Sequence, residues 1–114
     1  MYNSTTKAII FIGRSLDEIK AFPIEAKREA GFQLDRVQKG YSPSDWKPMA
    51  VIGKGVREIR ISEAAGIYRV IYIAKFEEAV YVLHAFQKKT RTTSKQDIQI
   101  TRRSYKKAKE GFKQ

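Results

Sequence analysis

Cysteine is absent from this sequence, and histidine occurs once, as His84. The first absence excludes a disulfide scaffold, a thiol nucleophile and any Cys-ligated zinc or iron–sulfur centre. The second excludes the usual multi-histidine metal sites and argues against a Ser-His-Asp triad. No metal and no other cofactor is therefore expected. No run approaches the ~18 apolar residues of a membrane span, and the N-terminus lacks the charged-then-apolar pattern of a secretory signal. A cytoplasmic protein without membrane partners is expected. Acid is also scarce: 12 Asp and Glu face 23 Lys and Arg, a formal charge of +11. Hydrophobic residues make up 42% of the 114 positions, which excludes a wholly disordered chain and suits one domain over residues 1–114 with a modest core. A surplus of this sign and size points to a polyanionic partner.

The surplus is uneven. Residues 1–87 carry 13 basic and 10 acidic side chains, net +3, and residues 88–114 carry 10 basic and 2 acidic, net +8. The last quarter is either a solvated, solubilising face or a surface for phosphates.

Hydrophobic periodicity predicts the elements. Lys7–Ile12 is a short apolar run closed by Gly13, as expected of a buried strand. Ser15-Leu16-Asp17-Glu18 has the capping-box pattern and opens a short helix with Leu16 and Ile19 on one face. A second helix is predicted from Pro23 to Gln38, ending at Gly40, with Ala26, Ala30, Leu34 and Val37 as its apolar stripe. Residues 40–55, with Pro43, Pro48, Gly53 and Gly55, read as a long loop. A short strand at Met49–Ile52 and a core anchor at Trp46 are expected within it. Val56–Ser62, Gly66–Ala74 and Ala79–Phe86 alternate at period two and are joined by hairpin-length connectors, which predicts an antiparallel meander. The last two are apolar on both faces, so both faces of the sheet are expected to be covered. Ser94-Lys95-Gln96-Asp97 starts a final helix with Ile98, Thr101, Tyr105, Ala108 and Phe112 inward and Arg102, Arg103, Lys106 and Lys109 outward. The sum is an α+β domain: an antiparallel sheet of about four strands, a helical pair on one face and a basic C-terminal helix beside it.

Chemistry without thiol or metal must come from carboxylates, cations, tyrosine or the one histidine. The carboxylates are scattered, and Gly53-Lys54-Gly55 is no phosphate-loop fingerprint. The unusual feature is cations on strands. Arg60 and Arg69 lie in neighbouring strands across a short hairpin, inside otherwise apolar runs, and Lys88 and Lys89 follow the last strand. Each arginine either pairs with a carboxylate such as Glu58 or Glu63, or lines a groove with Lys54 and Lys88 that binds a phosphodiester. Aromatics among them, Tyr68, Tyr72, Tyr81 and Phe86, are core residues or base-stacking platforms. His84 is either a buried, hydrogen-bonded histidine or a general acid or base.

Three segments carry a resemblance: Glu58-Ile59-Arg60-Ile61, Gly66-Ile67-Tyr68-Arg69-Val70-Ile71-Tyr72 and Leu83-His84-Ala85-Phe86-Gln87-Lys88-Lys89-Thr90. In this order, with a helical pair before and a basic helix after, the chain resembles the RelE/ParE toxin superfamily, nearest its phage-derived, HigB-like branch. The resemblance implies the RelE-like fold and the toxin of a type II toxin–antitoxin pair. It further implies a metal-free, ribosome-dependent mRNA endonuclease in which the ribose 2′-hydroxyl attacks the adjacent phosphate. By position, Arg69 and Arg60 would stabilise the phosphate, and Lys88 or Lys89 would protonate the leaving 5′-oxygen. Glu58 stands where RelE has a lysine, and no tyrosine matches the one in RelE's C-terminal segment, so the base is open, with His84 a candidate. Lys54, Arg57, Phe86, Arg91, Lys95 and Arg102 are expected to contact RNA. The implied partners are the ribosome, mRNA and a cognate antitoxin, expected to be a helix-turn-helix protein. The same fold also serves ParE-like poisons of DNA gyrase and would serve a binding module without catalysis; these are the alternatives.

Overall fold

The computed structural model describes residues 6–111, so Phe112 and Lys113 lie outside the described residues. The elements run β1 (Ala8–Phe11), α1 (Ser15–Lys20), α2 (Ile24–Gln38), β2 (Trp46–Pro48), β3 (Val56–Glu63), β4 (Gly66–Ile73), β5 (Ala79–Lys88) and α3 (Lys95–Lys109). The α+β class and the helix placement are as expected. The sheet differs in having five strands, in the order β1-β5-β4-β3-β2. It is mixed rather than antiparallel, because β1 lies parallel to β5 with Ala8 opposite Ala79. The chain leaving β1 must cross a face of the sheet to return, and α1 and α2 make that crossing.

The extra strand is β2. It falls at Trp46–Pro48, not at Met49–Ile52, and pairs antiparallel with β3 through Trp46 opposite Ile59. Pro48 cannot donate to a ladder and is tolerated because β2 is an edge. Trp46 is half-buried under Arg57, whose guanidinium carbon lies 3.9 Å from the ring centroid, and is not the core anchor expected.

Both faces of the sheet are covered. One core packs Ala26, Ala30, Leu34 and Val37 of α2 and Ile19 of α1 on Ile59, Ile61, Val70, Tyr72, Val80 and Val82. The alanines let the helix approach the strands closely. The second core packs Ala108, Ile98 and Tyr105 of α3 with Ile12, Met49 and Ile52 on Ile71, Ile73, Tyr81 and Leu83. Alternation along β4 divides the two sets, as the apolar character of both its faces required.

The helix starts differ from one another. Ser94 caps α3 as its spacing predicts, accepting from the Asp97 amide at 3.1 Å. Ser15 caps nothing: Arg14 holds the N-cap position, and the Ser15 hydroxyl donates to the Val82 carbonyl at 3.1 Å. Glu18 does not reach back either. It accepts from the Ala85 amide of β5 at 3.0 Å. A buried strand beside the first turn offered both side chains better partners than the turn itself. Leu16 is exposed, so only Ile19 packs inward. Pro23 sits at the N-cap of α2, one residue before the predicted first turn.

Gly53 has no side chain because the ring of Tyr105 occupies its place: a Cβ there would lie 2.5 Å from the ring carbons. Gly53→Ala is therefore expected to push α3 off the sheet and destabilise the protein by about 1–3 kcal/mol. Urea denaturation measures this, and Gly31→Ala, open within 4 Å, is the control that should not destabilise.

Candidate functional site

The register of β2 to β5 brings the strand cations together. Arg60 lies directly opposite Arg69, and Arg69 opposite Phe86. Lys47 lies opposite Glu58, and Lys88 opposite Ile67. Residues two apart on a strand share a face, so Lys47, Glu58, Arg60, Arg69, Phe86 and Lys88 all lie on the α3 side of the sheet. They occupy its far end, beyond the part of β5 that α3 packs against.

At the centre is an ion pair out of water. Glu58 is 0% exposed, and its Oε1 stands 3.5 Å from Nε of Arg69, whose side chain is 6% exposed. Arg69 Nη1 donates to the Tyr68 carbonyl at 3.1 Å. Neither oxygen of Glu58 nor Nε of Arg69 makes a hydrogen bond within the described residues. A buried charge pair is ordinarily held by the hydrogen bonds that offset its desolvation, and this one lacks them. Lys47 approaches Glu58 Oε1 to 3.9 Å from the solvent side. Arg60 is more exposed and lies 4.0 Å from Asp45.

Lys88 is half-buried at the edge of this group. Its pKa is lowered from the ordinary 10.5, first by burial and then by the charge of Arg69, with Glu58 opposing and Lys47 and Arg60 adding to the fall. Lys89 follows the end of β5 and is exposed, so of the two lysines it is Lys88 that joins the cluster. Both border a cleft of about 190 Å³ between the end of β5 and the start of α3, with Phe86, Thr92 and Asp97. Phe86 stacks on His84, ring centroids 5.0 Å apart. Its ring is therefore anchored on the core side.

His84 is the buried, hydrogen-bonded histidine of the first reading. Nδ1 lies 3.0 Å from Glu18 Oε1 and Nε2 lies 2.7 Å from Asp97 Oδ1. Burial works against the imidazolium, but the hydrogen bonds and charges of the two carboxylates outweigh it, and the pKa is raised. Neither ring nitrogen is left to reach a substrate. The residue clasps α1 and the first turn of α3 onto β5.

Two expected RNA contacts fall elsewhere. Arg57 lies on the opposite face of the sheet, toward Tyr72 and α2, because it is one residue out of phase with Glu58 and three with Arg60. Lys54 sits in the turn before β3, roughly 13–20 Å along the strand axis from Arg60. Neither lines the groove with Arg60, Arg69 and Lys88. Arg91 and Lys95 are exposed near the 190 Å³ cleft, and Arg102 is exposed on α3.

Lys47 and Asp45 carry no signal in the sequence, because the prolines around them hide the short strand that holds Lys47 and begins just after Asp45. Glu58 was visible as a partner for Arg69, but its complete burial was not. Among the described residues no three His, Asp or Glu side chains are grouped so as to hold a metal ion. Nor is any helix long and apolar enough to cross a membrane.

No curated protein matches the sequence. A family described as phage-derived protein Gp49-like (DUF891) matches residues 17–106, a span that includes most of α1, the cluster, His84 and most of α3. The chain thus belongs to the Gp49-like family of phage-derived proteins, a family assigned to the toxins of toxin–antitoxin systems.

Proposed function

We propose that the protein is the toxin of a type II pair and that it cleaves mRNA on the ribosome without a metal ion. The observation that supports this reading is the placement of Lys47, Arg60, Arg69 and Lys88 around one buried carboxylate, Glu58, whose oxygens carry no hydrogen bond. Arg60 and Arg69 receive the scissile phosphate and neutralise the charge that grows on its non-bridging oxygens. Water takes the proton of the ribose 2′-hydroxyl, while Glu58, fully buried behind Arg69, holds that guanidinium in place. The 2′-oxygen bonds to phosphorus, the bond from phosphorus to the 5′-oxygen breaks, and Lys88 gives that oxygen a proton. The products are a cyclic 2′,3′-phosphate and a 5′-hydroxyl. A lysine whose pKa is lowered is the better acid for this step. His84 does not exchange protons with RNA; it holds β5 and Phe86 in place.

The outward face of α3, with Arg102, Arg103, Lys106 and Lys109, joins Arg91 and Lys95 in attracting ribosomal RNA, with a steep loss in salt. The antitoxin, a helix-turn-helix protein, masks the cluster.

Primer extension on transcripts after induction is the test. Breaks within codons, dependent on translating ribosomes and unaffected by EDTA, are expected. Breaks in DNA linked to gyrase, with transcripts intact, would transfer the reading to a gyrase poison. Lys88→Ala should lower the cleavage rate about 10²–10⁴-fold with the fold unchanged. The rate should fall as pH rises through the lowered pKa of Lys88. In Lys88→Arg, whose guanidinium stays charged, that alkaline limb should vanish.

A further inference from the structure

The back of the sheet holds a second cleft, larger than the one beside Lys88, at about 380 Å³. It opens between the C-terminal end of α2, the loop after it and the ends of β3 and β4. Lys7, Arg57 and Lys75 line it, with the hydroxyls of Ser42 and Tyr72 and the ring of Tyr41. No carboxylate is among its lining residues. None of the three cations enters an ion pair among the described residues, although Arg28, Lys39, Lys47, Arg60 and Arg69 all do.

The three cations are held in place by neutral groups. Lys7 Nζ donates to the carbonyls of Ala74 and Phe76. Arg57 lies over Trp46, its Nη1 3.3 Å from the Ser42 hydroxyl, and stands opposite Tyr72 in the β3–β4 ladder. The stem of Lys75 crosses Gly55, its Cδ 3.0 Å from where a Cβ would stand. Gly55 has φ +91°, so a side chain is disfavoured there on backbone grounds too. Carbonyls, a hydroxyl and an aromatic face fix these positions while leaving the charge uncompensated. At the mouth Tyr41 is 61% exposed, a large ring left in water.

We propose that this cleft binds the phosphate of a nucleotide, with the base stacked on Tyr41. Three cations exceed what a single carboxylate would need, and the hydroxyls and the arginine fork suit phosphate oxygens. The volume lies within the range of small-ligand pockets, about 300–1,000 Å³. The cleft faces away from Arg60, Arg69 and Lys88, so its occupancy does not depend on cleavage chemistry. The phosphate comes either from a free nucleotide or from the 5′-end of an oligonucleotide, and the chemistry recognised is the same.

Amide shifts of the full chain, followed by NMR during titration, test this. The probes are inorganic phosphate, UMP, a 5′-phosphorylated trideoxynucleotide and its 5′-hydroxyl counterpart. Saturable shifts at Ser42, Gly55 and Lys75 are expected with the phosphorylated probes. UMP should bind more tightly than inorganic phosphate, and the tighter of UMP and the phosphorylated trinucleotide identifies the source. Lys75→Ala, at an exposed position, should weaken UMP about tenfold, and Tyr41→Ala should reduce UMP to the affinity of phosphate. The proposal is overturned if these amides do not move or if the 5′-hydroxyl trinucleotide binds equally well. It is also overturned if UMP gains nothing over phosphate, if Lys75→Ala leaves binding unchanged, or if a hexaglutamate peptide saturates the same amides at lower concentration than UMP.

Discussion

Arg69→Met is expected to lower stability by about 3–5 kcal/mol, and Glu58→Leu in the same chain to restore most of it. Met matches the arginine stem in length and shape, so the loss isolates the charge. With the guanidinium gone, Glu58 stays buried at 0% exposure with only Lys47, 3.9 Å away, to offset its charge. Removing the carboxylate as well leaves an apolar pair, and buried ion pairs replaced in this way are commonly neutral or more stable. Urea denaturation of both single variants and the double variant measures the coupling. A loss under about 1 kcal/mol for Arg69→Met would mean that the two side chains are not coupled. Glu58→Gln breaks the same pair from the other side. It keeps the shape and removes the charge, which leaves the Arg69 guanidinium at 6% exposure without its partner, so it should also destabilise by about 3–5 kcal/mol, and cleavage should fall because Arg69 is no longer held in place. Equal cleavage by Glu58→Gln would remove the carboxylate from the mechanism and leave Arg60, Arg69 and Lys88 to act alone.

What could be read in the sequence follows the range of the interaction. The stripe Ala26, Ala30, Leu34 and Val37 needs only helical spacing, and all four residues are buried. The adjacency of the strands that carry Arg60 and Arg69 needs only a short hairpin, whereas their direct pairing depends on the exact turn, which the register shows. The capping box at Glu18 misleads because the partners Glu18 takes, His84 and Ala85, lie 66 and 67 residues away in sequence, and nothing local competes with a capping box on paper. Asp97 performs its predicted local role, since its amide is capped by Ser94, and a distant one besides. Charge alone puts Lys54 in the groove and makes Arg57 an expected RNA contact. Alternation already placed Arg57 with Ile59 and Ile61 on the other face, and following that phase would have separated it from Arg60.

His84 should make stability depend on pH in a direction opposite to that of a salt-bridged carboxylate. Its folded pKa is raised above the ordinary 6.5, because Glu18 and Asp97 hold the imidazolium more strongly than burial disfavours it. The folded state therefore binds the proton more tightly than the unfolded chain. The stabilisation is fully present below about pH 6.5 and is lost as pH rises through the raised folded value. His84→Gln keeps a hydrogen-bonding side chain but has no charge, and should destabilise by about 2–4 kcal/mol at pH 6. The gap between parent and variant should narrow steadily as the medium becomes alkaline. Urea midpoints at pH 5.5, 7 and 9 measure this, and a gap that stays constant would mean that folding leaves the affinity of His84 for its proton unchanged. The consequence reaches the cluster through β5. Phe86 stacks on this ring and Lys88 follows two residues later, so the clasp that joins α1 and α3 also fixes the strand end that presents the proposed acid. In His84→Gln, the alkaline fall in cleavage assigned to Lys88 should remain, because the lysine itself is intact. Its amplitude should shrink, because the lysine is no longer held where the leaving oxygen stands.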